Sequence, residues 1–217
     1  MTRKSHWDAV YANTASKTLS WYQRRPTLSL QLIGRTALPK SARIIDVGGG
    51  ESSLVDGLLS RGYGDITVLD LSRAALERAR ARLGKADAAR VEWREGDILD
   101  TDLPGEQFDI WHDRAVFHFL TTPHERDTYI QRVESAVRPG GHVIVATFAE
   151  DGPTRCSGLP VARYSPTELH DTFGSAFRLV ASEHEVHRTP SGAEQRFTYC
   201  WCRYDPVSIE IGAAGGR

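Results

Sequence analysis

Three strand-like runs in this chain each close on a carboxylate, and the residues beside those carboxylates are suited to binding a nucleoside. The first, Arg43-Ile44-Ile45-Asp46-Val47, passes into Gly48-Gly49-Gly50-Glu51-Ser52-Ser53-Leu54. Glycines there let the backbone approach a ligand where a Cβ would collide. The helix that follows is expected to present free N–H groups to the same ligand. The second run, Ile66-Thr67-Val68-Leu69-Asp70, ends on an acid about two dozen residues further on, where an α/β nucleotide site places the carboxylate for a ribose diol. The third, Val91–Glu95, continues into Gly96-Asp97-Ile98. An acid there accepts an adenine amino group while the next backbone N–H meets a ring nitrogen. Taken singly, Asp70 also fits a cap for the helix starting near Ser72, and Asp97 a simple turn. As an ordered set they describe the carboxyl edge of a parallel sheet, where ligands bind in such folds.

Asp46 narrows the ligand. A dinucleotide site wants a pyrophosphate against G-x-G-x-x-G, with the last glycine packing helix on strand. Here that last position is Ser53, and Asp46 would repel a diphosphate. An acid before the glycines suits a ligand carrying positive charge and hydroxyls, such as S-adenosylmethionine.

The elements that must position these groups follow from periodicity. Leu54, Val55, Leu58 and Leu59 share one helix face after the glycines. Helices are predicted over 72–83 and 124–138, the latter with Tyr129, Ile130, Val133 and Val137 inward. Arg138-Pro139-Gly140-Gly141 ends that helix and turns into a strand from His142 to Phe148. Ser165-Pro166-Thr167-Glu168 is a capping box opening a short helix through Phe173. Strands near Phe177–Thr189 and Glu194–Tyr204 flank Pro190-Ser191-Gly192-Ala193 and should pair antiparallel. Residues 1–38 are expected to form an N-terminal helical cap, broken around Asn13–Ser20 and restarting at Pro26. A core over 39–205 and a disordered tail over 206–217 complete a single domain.

These motifs resemble the class I S-adenosylmethionine-dependent methyltransferases over roughly residues 6–204. Ser52 stands where the usual D-x-G-x-G-x-G pattern has its third glycine. The resemblance implies an α/β, Rossmann-like doubly wound sheet of seven strands with an antiparallel last strand. It also implies S-adenosylmethionine as cofactor, with S-adenosylhomocysteine as its product and no metal. Asp46, Gly48, Gly49, Gly50, Asp70, Leu71, Asp97 and Ile98 would contact the cofactor. Within the superfamily, Gly50–Leu54, Gly62-Tyr63-Gly64-Asp65-Ile66 and Asp70-Leu71-Ser72 are similar to protein-lysine methyltransferases acting on elongation factor and citrate synthase.

The fourth strand points elsewhere. Phe108-Asp109-Ile110-Trp111-His112-Asp113 runs into Arg114-Ala115, and in this fold class its end lies beside the reacting sulfur. The Asn-Pro-Pro-aromatic pattern of amino-methylating enzymes is absent. Lysine enzymes tend to show Asp-Lys-Gly, whereas Asp113-Arg114-Ala115 is closer to thiol methyltransferases. Trp7-Asp8-Ala9-Val10-Tyr11 and Thr18-Leu19-Ser20-Trp21-Tyr22-Gln23 resemble the tryptophan-containing cap that folds over the cofactor in those thiol enzymes, which adds Trp7, Tyr11 and Trp21 to the cofactor set. Asp113, Arg114 and His112 are the candidate catalytic residues: an acid matching the strand-four acid, a cation for an anionic nucleophile, and an imidazole able to act as base. Arg114 equally fits an ion pair with Asp113 or Glu125 outside the pocket. Trp7, Tyr11, Trp21, Tyr22, Phe117, Phe119 and Phe148 are candidates to wall a dry pocket or to fill the core. The long stretch Asp151–Pro160 after the fifth strand is expected to shape the acceptor site, with Cys156, His184 and His187 near its mouth.

Composition excludes several classes. A net charge of −1 over 217 residues favours neither nucleic acid nor an anionic membrane. Arg73, Arg78, Arg80 and Arg82 read as a solvated helix face. The start lacks a secretory h-region, and no apolar run approaches membrane-spanning length. Three cysteines, an odd and sparse count, fit a reducing cytoplasm, with Cys200 and Cys202 poorly placed to pair. The expectation is therefore a cytoplasmic methyltransferase acting on a small soft nucleophile: a thiol, a sulfide or a related chalcogen compound. Protein-lysine N-methylation and a cofactor-binding module without catalysis are the alternatives; oligomeric state is open.

Overall fold

The computed structural model describes residues 2–206, so the expected disordered tail lies, but for Pro206, outside the described residues. The alternating apolar segments become β1 (Arg43–Val47), β2 (Asp65–Asp70), β3 (Val91–Glu95), β4 (Phe108–Arg114), β5 (Val137–Phe148), β6 (Phe177–Arg188) and β7 (Glu194–Tyr204). They form one seven-stranded sheet in the order β3-β2-β1-β4-β5-β7-β6. Pairs among β1 to β5 are parallel, and β7 runs antiparallel between β5 and β6. The order reverses between β1 and β4, the switch point at whose carboxyl ends open α/β sheets bind ligands.

Helices α1 (Arg3–Asn13), α2 (Thr27–Arg35), α3 (Leu54–Leu59), α4 (Arg73–Ala88), α5 (Pro123–Ala136) and α6 (Pro166–Phe173) surround this sheet. One apolar layer joins Val47, Trp111, Tyr129, Val145 and Phe173; the other joins Leu30, Ile33, Ile44, Leu58, Ile110 and Phe197. Alternation of side chains along each strand decides which layer a residue enters. On β4, Ile110 lies in the α2–α3 layer and Trp111 in the α5–α6 layer.

Three local readings change. The predicted helix 124–138 stops at Ala136, and the strand begins at Val137 rather than His142. Val137 pairs with Phe108, and the register then shifts before Ile110 meets His142, with Pro139-Gly140-Gly141 absorbing the extra length as Gly140 takes φ +77°. Helix α4 extends past 83 but is broken at Gly84, also at positive φ. The expected cap over 1–38 divides: α1 lies over the carboxyl edge, whereas Leu30, Leu32 and Ile33 of α2 are buried in the core against β1, β4 and α3.

Candidate active site

The turn after β1 gives a ligand room rather than donors. Gly48 N–H and Gly49 N–H both bond Leu69 O, at 2.7 and 3.2 Å. Ser52 N–H bonds Gly49 O, and Leu54 N–H bonds Ser52 Oγ at 3.1 Å. The expected free N–H groups at the helix start are thus partly consumed. Ser52 acquires a role that glycine would lack, since its Oγ accepts from Leu54 N–H at the start of α3. Room is the turn's contribution. A Cβ on Gly48, at φ +67°, would lie 2.0 Å from Val116 Cγ2, and one on Gly49 would lie 2.6 Å from Asp46 Oδ2. A turn with few free donors beside a carboxylate suits a cationic ligand and not a phosphate.

Two adjoining cavities open there and share Tyr11, Trp21, Gly48 and Arg114. The larger encloses about 790 Å³ including its mouth, within the range of small-molecule sites. Asp70, Leu71, Asp97, Ile98, Trp7, Tyr11 and Trp21, all candidates for the cofactor, line it. Asp46, Gly48 and Gly49 line the smaller one. Gly50 lines neither, but a Cβ there would strike Asp70 Oδ2 at 2.6 Å, so its bareness keeps Asp70 in place.

The carboxylates differ in what is left unpaired. Asp46 Oδ1 accepts from His112 Nδ1–H at 2.7 Å, while its buried Oδ2 has no partner. Asp70 Oδ1 accepts from Ser72 N–H at 2.8 Å. Burial pushes the Asp70 carboxyl up to about 7, and the charges of Asp46 and Asp8 add to that. Asp97 Oδ1 accepts from Leu99 N–H at 3.0 Å, and Arg3 Nη1 lies 3.9 Å from its Oδ2. An orphaned buried oxygen at Asp46, a desolvated acid at Asp70 and a bare glycine cradle between them fit S-adenosylmethionine: a cationic amino-acid end, a diol and a base.

The candidate catalytic residues do not meet in one place. Successive β4 residues face opposite ways, so Asp113 points into the α5–α6 layer. There it accepts from Val116 N–H (2.8 Å), Phe117 N–H (3.0 Å) and Tyr129 Oη–H (2.6 Å). Fully buried and saturated with donors, it holds the turn after β4 and does not touch the cavity. Ala115 starts that turn at φ +73°, a left-handed conformation that a side chain normally resists. His112 faces the other layer and lines the smaller cavity, but both ring nitrogens are engaged, with Asp46 and with Ser29 Oγ at 2.9 Å. It is not a base at the acceptor. Arg114 alone of the three lines both cavities. Its partner is neither Asp113 nor Glu125 but Glu185: Nη2 donates at 3.1 Å, while Nε also donates to Tyr199 Oη at 3.0 Å. The guanidinium sits 4.1 Å over the Phe197 ring.

Of the aromatic candidates, Phe119 lines the larger cavity and Tyr22 the smaller, whereas Phe117 and Phe148 belong to the core. The 151–160 stretch folds into a two-stranded ribbon, Arg155–Cys156 against Leu159–Pro160, and brings Cys156 to the cavity wall. Burial pushes that thiol up to about 11. His187 Nε2 bonds Ser20 O at 2.8 Å and His184 is exposed; neither lines a cavity.

Sequence reasoning missed how the lid is tied down. Arg3 pairs with Glu125, and Lys4 with Glu95 at 2.8 Å. Arg78 donates to Tyr11 O, to Thr14 O at 3.0 Å and to Glu51 at 3.3 Å. Arg82 donates to Ser52 O and Glu51 O, at 2.7 and 2.9 Å. Two of the four arginines read as a solvated face therefore clamp α1 and the glycine turn. Their i, i+4 spacing was the available signal. Cys200 and Cys202 are free thiols with their sulfurs 3.4 Å apart. Among the described residues no cluster of three or more His, Cys, Asp or Glu is arranged for a metal, and no helix is long and apolar enough to cross a membrane.

Comparison with known proteins agrees with this geometry. A family model described as a methyltransferase domain matches residues 44–141, from β1 to the start of β5. An uncharacterized methyltransferase of Mycobacterium tuberculosis is 30% identical over 116 residues, 54% of each chain. The EEF1A lysine methyltransferase 2 of Danio rerio is 24% identical over 148 residues, 66% of this chain and 58% of that one. The chain spans about half the length of the curated relatives it matches. A solved structure from work on conversion of a disulfide bond into a thioacetal group during echinomycin biosynthesis superposes with a TM-score of 0.76. It is 21% identical and covers 97% of this chain and 95% of that one, a likeness of fold. The matched domain, the strand order and the cradle all resemble those of the class I S-adenosylmethionine-dependent methyltransferases.

Proposed function

We propose that this protein transfers the methyl group of S-adenosylmethionine to a small soft nucleophile: a thiol, a sulfide or a related chalcogen compound. The carrying observation is the character of the larger cavity away from the adenosine groups. Four charged residues line it: Arg3, Asp70, Asp97 and Arg114. Asp70 and Asp97 suit ribose and base, and Arg3 is committed to Glu125. The remaining wall includes Trp7, Tyr11, Trp21, Ala115, Val116, Phe119, Leu120 and Cys156, with Arg114 as the one charge left for an acceptor.

The bound cofactor supplies a methyl group already activated on a sulfonium. The chain has to hold an acceptor in line and exclude water. Its aromatic lid does the second, and Arg114 offers a hydrogen-bond donor for the first. No side chain in this wall is placed as a general base, since Asp113 faces away, His112 is occupied and the Cys156 thiol resists ionisation. A thioether, or a thiolate or selenolate that has lost its proton to solvent before binding, attacks without one. The pairing of Arg114 with Glu185 makes the wall nearly neutral, so a neutral sulfide fits as well as a thiolate.

A protein-lysine acceptor is the second reading, favoured by the Danio rerio relative. A lysine must lose a proton before attack, and a carboxylate free to take it is missing from the wall described. Labelled cofactor offered to a panel of small thiols, selenols and sulfides, and in parallel to lysate proteins, tests the proposal. Transfer into small chalcogen compounds supports it. Transfer into protein alone overturns it. Tight cofactor binding with no transfer to any acceptor would favour a binding module without catalysis.

A further inference from the structure

Asp46 and His112 are register partners on the adjacent parallel strands β1 and β4, so their side chains emerge side by side on the α2 face of the sheet. Both are almost fully buried. A carboxylate can only accept, so His112 carries its proton on Nδ1 and donates it to Asp46 Oδ1 at 2.7 Å. Its Nε2 meets Ser29 Oγ, 2.9 Å away on α2. Ser29 Oγ in turn lies 3.4 Å from Tyr199 Oη, which accepts from Arg114 Nε at 3.0 Å. His112 Nδ1–H points toward Asp46, whose other oxygen is buried and without a partner, while Tyr199 Oη–H is directed away, to Glu185 Oε2 at 3.3 Å.

A buried carboxylate left half-satisfied costs free energy unless something completes it, and it binds tightly only what meets its free oxygen at the right angle. Resting on the cofactor assignment, we propose that His112 and Ser29 are positioning residues. Through Asp46 they orient the carboxylate toward the ammonium group of the cofactor's amino-acid end, and they take no part at the acceptor. The glycines leave space for this: a side chain at Gly49 would strike Asp46 Oδ2 at 2.6 Å. Asp70 and Asp97 serve the nucleoside and lie outside the relay, so the two ends of the cofactor should be separable by mutation.

The test compares two ligands by calorimetry on the full chain. S-adenosylhomocysteine carries the ammonium group; 5′-methylthioadenosine keeps the nucleoside and the sulfur but lacks the amino-acid end. His112→Ala should weaken S-adenosylhomocysteine about tenfold or more while 5′-methylthioadenosine changes by less than about twofold. His112→Asn, whose amide can replace the Nδ1–H donor, should restore most of the loss. Ser29→Ala, the milder change should His112→Ala fail to fold, should weaken S-adenosylhomocysteine alone by roughly threefold. Equal weakening of both ligands, or no weakening of either, overturns the proposal while leaving the cofactor assignment standing. A wild-type protein that binds neither ligand overturns both.

Discussion

On the donor side of the cavity every polar group sits at a strand end within a few residues of its own turn, and a buried oxygen is left waiting. On the acceptor side the polar groups come from segments far apart in the chain and satisfy one another: Arg114 with Glu185 and Tyr199, and Gln23 Nε2 with Glu185 Oε1 at 2.9 Å. The first arrangement binds by completing hydrogen bonds, the second by shape and exclusion of water. A carboxylate that lacks a partner is costly in the free protein, and the ligand removes that cost. A salt bridge already formed asks only to be left undisturbed. In the function proposed, the donor is thus held by named contacts, and the acceptor by a dry wall with one arginine in it.

The contrast is broken most severely at the glycine turn. Gly48→Ala forces a Cβ into Val116 at a positive φ, and should abolish measurable cofactor binding and cost about 1–3 kcal/mol of stability by chemical denaturation. Asp70→Ala removes the proposed acceptor for the ribose hydroxyls and should cost on the order of 1.5–3 kcal/mol of cofactor affinity by calorimetry. Unchanged affinity would take Asp70 out of the site.

Proton competition at Asp70 comes next. Its carboxyl is pushed up to about 7 in the free protein, and only the ionised form accepts two hydroxyls. Cofactor affinity should be flat well above that value and fall by up to about tenfold per pH unit below it. Stability of the free protein should move the opposite way. The native state holds this proton in the window between the ordinary carboxyl value of 3.8 and about 7 while the unfolded chain releases it, so this group's contribution declines as pH rises through that window. A pH-independent affinity would show that the ribose is held by other groups.

Smaller effects belong to the acceptor side and the lid. Arg114→Lys keeps the charge but loses the planar fork. It should lower kcat by roughly tenfold while cofactor affinity changes little; equal losses in both would make Arg114 part of the donor side. Arg3→Ala removes a half-exposed pairing with Glu125 and should weaken cofactor binding by about 0.2–1 kcal/mol, an effect that shrinks further in high salt.

The donor side was legible because its information is local. Asp46 with the glycines, and Asp70, each belong to a strand–turn–helix unit, Asp97 belongs to the turn that closes β3, and strand periodicity orders them along one edge. The aromatic lid was legible for a similar reason: Trp7 and Tyr11 stand four residues apart on one helix face. The acceptor side was not, because its partners are separated by long stretches of chain. Nothing near Arg114 indicates Glu185, which is brought to it when β7 inserts antiparallel between β5 and β6. Asp113 looked catalytic because its position in the chain was right. One residue of alternation along β4 turns it to the opposite face of the sheet from His112 and Arg114.

The sequence by itself determined the sheet, the switch point and the methyl donor, since these depend on residue types at short spacing and on a period of two or of 3.6. Only the tertiary structure decided that Asp113 braces a turn, that His112 serves Asp46, and that Arg114 reaches the cavity already paired. Which face a strand residue takes, and what strand or helix lies across from it, is set by packing between segments that are distant in the chain.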